Sequence, residues 1–289
     1  MPTGLLSTDS KDFSASTAGS STGSYLIPRT LLETVFQQAR KKLVLRALAA
    51  RVFGPSAIKG RVFSVPIQTK NSLFVNQVAE GAEIPQDVEA YTGFNVTPLK
   101  YGVRVAVTKE MLEDGIVDVL AMNIETAAYE LADNEESLII STLDTGSGQT
   151  DSTQVANSNA TLPISDITAA MLGVEEENYT PTHMLVGTEV ASDLRNIDTF
   201  VEADKAGIND PSQKLIGKIF GMKVIVSNNV SAKYAYVIDA NYAFILAEKR
   251  PITIERYWDY ARDTAYAAVT QRIAARYLMS GAIARIVTT

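Results

Sequence analysis

The stretch VNQVAEGAEIPQDVEAYTGFNVTPLKYGVRVAVTKEML (residues 75–112) decides how the rest of the chain is read. Its first two-thirds is polar and acidic, punctuated by Gly81, Pro85, Gly93 and Pro98. Its last third alternates as a strand does and then turns into a helix start. Between Asn71 and Pro98 the ionised groups are Glu80, Glu83, Asp87 and Glu89, with no Lys or Arg. Leu73, Phe74, Val75, Ile84, Tyr91 and Phe94 are interspersed among them and need a surface to rest on. Strand-like stretches flank the segment, Arg61–Ile67 before it and Lys100–Val107 after it, so residues 59–106 read as a long hairpin-like excursion. Each arm, at roughly 3.3 Å per residue, reaches about 40 Å or more. A lone two-stranded ribbon cannot bury both faces and is marginal in water. A neighbouring subunit is the natural support, with a plain surface loop as the alternative. Candidate counter-ions for the acidic tract are Arg40, Lys41 and Lys42, or Arg262, Arg272 and Arg276, of another copy.

Composition narrows the chemistry. The chain of 289 residues, 46% hydrophobic and 20% charged, has the balance of a globular protein with one large domain or two intimate ones. No apolar run approaches the length of a membrane span, and the Ser/Thr-rich start lacks the pattern of a secretory signal. The glycosylation-type sequons at Asn95, Asn159, Asn178 and Asn229 are then accidental. The absence of cysteine excludes disulfides, thiolate catalysis and Cys-based metal sites. A single histidine, His183, excludes a multi-histidine metal site within one chain. A net charge of −7 argues against tight binding to nucleic acid backbones.

Residues 1–24 contain 14 Ser, Thr or Gly and cannot repay their ordering entropy alone; they read as an arm. A helix is expected from about Thr30 to Ala50. Thr108 is a candidate N-cap for a long helix running to Leu143, with Leu112, Ile116, Leu120, Ile124, Ala127, Leu131 and Leu138 at helical spacing and a gap near Asn134. Residues 149–162 and 199–213 read as loops. A helix near Ser165–Gly173, a strand at His183–Val186 and a helix at Thr188–Asn196 follow. Four strands are expected at Lys223–Val226, Tyr234–Ile238, Ala243–Leu246 and Ile252–Glu255. Thr264–Met279 is ambiguous, its alanines favouring helix and its alternation favouring strand.

Asp144-Thr145-Gly146 matches the core of an aspartic protease site, where two carboxylates share a proton. The chain has no second copy of the motif, and this one follows a long helix. Its plainer reading is a helix exit in which Gly146 or Gly148 supplies a positive φ. His183 heads an apolar strand and reads as packing or capping. Glu175-Glu176-Glu177 reads as a solvated charge run in preference to a cation site. Tyr257, Trp258 and Tyr260 read as core or interface packing in preference to a ligand stack. No acid, base and nucleophile converge, so no catalytic, cofactor-binding or metal residues are assigned, and the chain reads as a non-enzyme without cofactors.

The order of these features resembles the major capsid proteins of tailed bacteriophages and related viruses with the HK97 fold. The likeness runs from Tyr25 onward. Residues 79–85 and 94–100 resemble the family's extended loop returning to the body. Residues 107–114 resemble the start of its spine helix, and Leu143–Gly148 the Gly-rich exit. Residues 219–227 and the strands after them resemble the lead into the axial domain. The resemblance implies an α+β fold: an N-terminal arm (1–29), a peripheral domain (30–58, 99–170 and 251–280, with the spine helix at about 108–143), an extended β-hairpin loop (59–98), and an axial domain with a central mixed sheet (171–250 and 281–289). It assigns Thr264–Met279 to strand. It implies a self-assembling icosahedral shell of pentamers and hexamers around double-stranded DNA, contacted non-specifically. Scaffolding, portal and decoration proteins are its possible partners, and it implies no membrane. It also implies assembly in the host cytoplasm and residence in the virion capsid. The residues expected at subunit contacts are Glu80, Glu83, Asp87, Glu89, Phe74, Tyr91, Phe94, Arg40, Lys41, Lys42, Arg262, Arg272 and Arg276.

Two departures qualify the resemblance. Some members cross-link a loop Lys to a peripheral-domain Asn with help from a Glu. Lys59 and Lys70 offer the first partner, but residues 251–289 hold no Asn and no Glu beyond Glu255, so covalent cross-links are not expected. No charged helical scaffolding segment precedes the arm. An encapsulin-like nanocompartment on the same fold is the alternative, although its usual N-terminal helix is not apparent, and a D-T-G protease is the remote one.

Overall fold

Three extended stretches near the middle and end of the chain give a frame of long strands, and one apolar helical stripe packs on it. The computed structural model describes residues 43–68, 73, 75–114, 118–157, 161–196 and 217–288. The arm, residues 30–42 of the expected first helix, the whole 199–213 loop, and Arg40, Lys41, Lys42, Lys70 and Phe74 lie outside the described residues. In chain order, β1 (Arg51–Phe53), β2 (Phe63–Gln68), β3 (Tyr91–Val96) and β4 (Leu99–Thr108) precede α1 (Lys109–Asp114) and α2 (Val119–Ser147). Then come β5 (Thr153–Asn157), α3 (Ile164–Glu176), β6 (His183–Val186) and α4 (Thr188–Asn196). The chain closes with β7 (Lys218–Ile219), β8 (Met222–Val226), β9 (Tyr234–Ile238), β10 (Phe244–Asp259), β11 (Thr264–Tyr277) and β12 (Ile283–Thr288).

The ambiguous stretch is a strand. β11 lies between β10 and β4 in a four-stranded sheet of order β1-β10-β11-β4, antiparallel to both neighbours. Its alanines leave room for a helix: Ala267 and Val269 face Ile124, Ala127 and Leu131 of α2. Tertiary packing outweighed their helix preference. A second, six-stranded sheet runs β5-β12-β9-β6-β8-β7. Ile167, Ala170 and Val174 of α3 and Val190, Ala191 and Leu194 of α4 are buried with Met184, Val224, Val237 and Ile286 of that sheet. A further cluster joins both sheets to α2, with Ile139, Ile140 and Leu143 against Tyr236, Ile238, Phe244, Leu246 and Ile283.

Several expectations are corrected. β2 pairs with β3, not with the strand at 99–108, so the excursion is a short ribbon and the latter strand belongs to the four-stranded sheet. Thr108 ends β4 directly before the short α1, and the long helix starts separately at Val119: α2 is capped by Asp118, whose carboxylate accepts from the Ala121 amide at 2.9 Å. Residues 45–48 form a single 3-10 turn and 51–53 a strand, so the expected first helix does not extend to Ala50. β5 occupies part of the expected 149–162 loop, paired parallel to β12. The segments 243–246 and 252–255 are one strand, β10, with its irregularity between Glu248 and Thr253, around Pro251. Proline cannot donate to a ladder, which makes it a natural place for that break.

The D-T-G triplet lies in the last turn of its helix, so the exit comes just after it. α2 runs on to Ser147, and Gly148 closes it at φ −91° without a left-handed residue. Gly146 is needed for close approach instead: a Cβ there would meet Ile283 Cδ1 at 2.8 Å and Tyr277 Cβ at 3.0 Å. Asp144 accepts from the Tyr236 hydroxyl and from Arg285 Nη1 at 3.2 Å, tying the helix to the six-stranded sheet. Burial, and then Asp144, push the Tyr236 hydroxyl far above the ordinary phenol value, so it stays a donor.

Candidate subunit interface

Residues 75–90 join β2 to β3 and belong to neither helix nor strand. Val75, Ile84 and Val88 are 102%, 78% and 73% exposed, an unusual density of bare aliphatic surface for a polar segment. Glu80, Glu83 and Asp87 are exposed beside them and Glu89 is half-buried. Glu89 accepts from the Tyr91 hydroxyl at 2.8 Å, and that bond raises the Tyr91 pKa. The root of the ribbon is fixed. Phe63, Val65, Phe94 and Val96 pack with Ile58, Ile245 and Ala247, and the Phe53 and Phe63 rings lie 4.8 Å apart.

The expected contact residues therefore divide. Glu80, Glu83, Asp87 and Tyr91 present themselves outward, as does Arg262 in the turn between β10 and β11. Phe94 is half-buried, part of its apolar surface resting on its own chain, with the Arg276 guanidinium 5.7 Å from the ring centroid. Arg276 also lies 4.3 Å from the Tyr277 centroid, and Arg272 reaches the Pro98 carbonyl. Both are half-buried sheet residues with partners inside the subunit. Tyr257 stacks on Tyr266 at 5.1 Å with Arg104 over the Tyr266 ring, while Tyr260 is 89% exposed. His183 contacts the Thr182 hydroxyl at 3.0 Å; burial and then Lys223 lower its pKa, against a smaller opposing pull from Asp239.

Sequence reasoning missed a buried polar node, although the gap near Asn134 in the apolar stripe was its signal. There Glu135 and Glu136 of α2 turn inward, 5% and 2% exposed. Arg46 bridges Glu135, at 2.8 Å, and Glu248 of β10, while Gln271 of β11 donates to Glu135 at 3.0 Å. Glu136 accepts from the Leu45 amide at 2.7 Å. The Asn229 side chain donates to Asp133 at 2.7 Å and to Glu136 at 3.4 Å. The node thus fastens the chain entering at residue 44 to the long helix.

Burial raises the Glu136 pKa, and the nearby Asp133 adds to the shift against the hydrogen bonds it accepts. The folded state therefore holds this proton more tightly than the unfolded chain does. Its contribution is most favourable at low pH and is lost as pH rises from the ordinary carboxylate value through the raised one. Glu136→Gln keeps an acceptor for Leu45 and removes the carboxylate charge that burial and Asp133 disfavour. Urea midpoints should show the Gln variant level with wild type near pH 4 and the more stable of the two at pH 8. A difference that stays flat with pH excludes Glu136 as the titrating group.

The model of the phage capsid family matches residues 23–287. No curated protein sequence matches the chain. Among solved structures, the capsid of the cyanophage P-SCSP1u superposes with a TM-score of 0.78 at 12% identity, covering 92% of this chain and 94% of that one. The capsid of the native GTA particle gives 0.75 at 15% identity, covering 96% and 100%. The mature capsid of bacteriophage PhiM1 gives 0.72 at 12% identity, covering 91% and 92%. At such identities the structures speak for the fold, and the family match covers most of the chain. The chain belongs to the phage capsid family and is a shell-forming major capsid protein of the HK97 fold.

Proposed function

We propose that this subunit builds a closed icosahedral shell of pentamers and hexamers around double-stranded DNA, and that residues 75–90 join each subunit to its neighbour. The observation that carries the second part is the loop itself, with Val75, Ile84 and Val88 bare and four carboxylates around them on a rigidly rooted ribbon. Burying each aliphatic side chain contributes about 1.5–3 kcal/mol. Association costs consume much of any single contact, so the shell rests on many such contacts repeated by symmetry. Arg262 offers an exposed cation for the carboxylates, and Arg40, Lys41 and Lys42 remain candidates alongside it.

In this reading, residues 1–29 are an arm over neighbouring copies and 59–98 the extended loop. A peripheral part is built on the four-stranded sheet and α2, and an axial part on the six-stranded sheet. The net charge of −7 suits a container that holds DNA without reading it. Scaffolding, portal and decoration proteins are the partners such a shell calls for, and assembly takes place in the host cytoplasm. Negative-stain microscopy of the purified protein tests the reading. Closed shells, pentamers or hexamers are expected, and a lasting monomer at high concentration rejects it.

A further inference from the structure

One corner of the six-stranded sheet is locally unfavourable. On its β7 edge Lys218 stands directly opposite Lys223, and Lys223 is in register with His183 on β6. Both lysines are exposed, and like charges directly across a ladder repel. The turn between β7 and β8 is Phe220-Gly221, with φ of 48° and 85°. Glycine adopts that conformation freely, whereas a bulky side chain does not. Phe220 is nevertheless 55% exposed, so burial within the subunit does not offset the strain.

A second corner has the opposite sign. The last turn of α3 carries Glu175 and Glu176, both exposed, and no basic residue. Carboxylates at a helix C-terminus oppose the backbone dipole. Leu172, one turn earlier, is 55% exposed. The next residue, Glu177, packs against Gly281, just before β12. Ile283, Ile238, His183, Lys223 and Lys218 form one row across β12, β9, β6, β8 and β7, so the two corners share one end of the sheet. Four strand spacings separate them, roughly 19 Å at about 4.8 Å each. A Lys–Glu pair does not span that distance within one copy.

We infer that the two corners meet between copies. The β7–β8 hairpin of one subunit seats Phe220 on Leu172 of the next and sets Lys218 and Lys223 against its Glu175 and Glu176. This contact is heterologous, and with the rotation per copy of a pentamer or hexamer its repetition closes a ring of subunits. It rests on the shell reading and supplies that reading with a second, loop-independent interface. The strain at Phe220 and the two like-charge clusters are then relieved in the assembly.

Three full-length variants test the contact by sedimentation velocity and thermal melting. Phe220→Asn suits the positive φ better, so it should melt no lower than wild type yet associate about tenfold less. Lys218→Glu with Lys223→Glu should fail to form rings, and so should Glu175→Lys with Glu176→Lys. Combining all four reversals should restore rings. Wild-type association by Phe220→Asn or by either double reversal overturns the contact, as does a combined variant that stays monomeric. A wild-type chain that never leaves the monomer overturns the shell reading itself, and the contact falls with it.

Discussion

Excising residues 75–90 and closing β2 onto β3 with a short Gly/Asn turn should leave a folded subunit that no longer makes shells. The cut must spare β3. Val96 is 4% exposed in the cluster under the ribbon, and Phe94 packs there too, so a wider deletion through residue 97 would open the core. The excised residues touch little of their own chain, so the melting temperature should hold within a few degrees. Association behaves differently. Losing three aliphatic side chains from an interface removes roughly 3 kcal/mol or more after association costs, about a hundredfold per contact. Sedimentation should therefore show monomers or small rings where wild type gives shells. Unchanged shell yield from the shortened subunit would reject the loop as a joining element.

The largest effect on the subunit itself is expected from Leu143→Ala. Leu143 is fully buried where α2 meets both sheets, among Tyr236, Phe244, Leu246 and Ile283. Truncation there leaves a cavity that strands and helix, each held by other contacts, cannot collapse to fill. The cost is about 2–5 kcal/mol. At about 2–4 °C per kcal/mol for a chain of this size, the melting temperature should fall by roughly 10 °C. Calorimetry provides the check. A fall of a degree or two would mean that the helix is free to settle onto the sheets, contrary to the close approach at Gly146.

Local pattern made much of the fold legible. The strand at His183–Val186 and the helix at Thr188–Asn196 fall where the sequence pattern places them. Misreadings arose where distant residues decide. β2 was matched to the wrong partner because pairing depends on which strand the four-stranded sheet claims, and β11 claims β4. The helix was ended too early because Gly146 reads as a stop in sequence, whereas here it is a space for Tyr277 and Ile283. Nothing local shows that Ile245 and Ala247, some 150 residues later, come beneath Phe94. Glu135 and Glu136 looked like a break in an apolar stripe; their partners Arg46 and Leu45 lie about ninety residues upstream.

By itself, the sequence determined that this chain forms an α+β protein without thiol or multi-histidine chemistry, with an acidic, apolar-studded loop too bare to stand alone. Those properties follow from composition and short-range periodicity, which act over a few residues. The tertiary structure decided the partner of each strand, the inward turn of a polar helical segment, the packing beneath Phe94 and the row that carries Lys218, Lys223 and His183. Such features depend on side chains meeting across the sheets, where close packing and the need to pair buried polar groups override local preference.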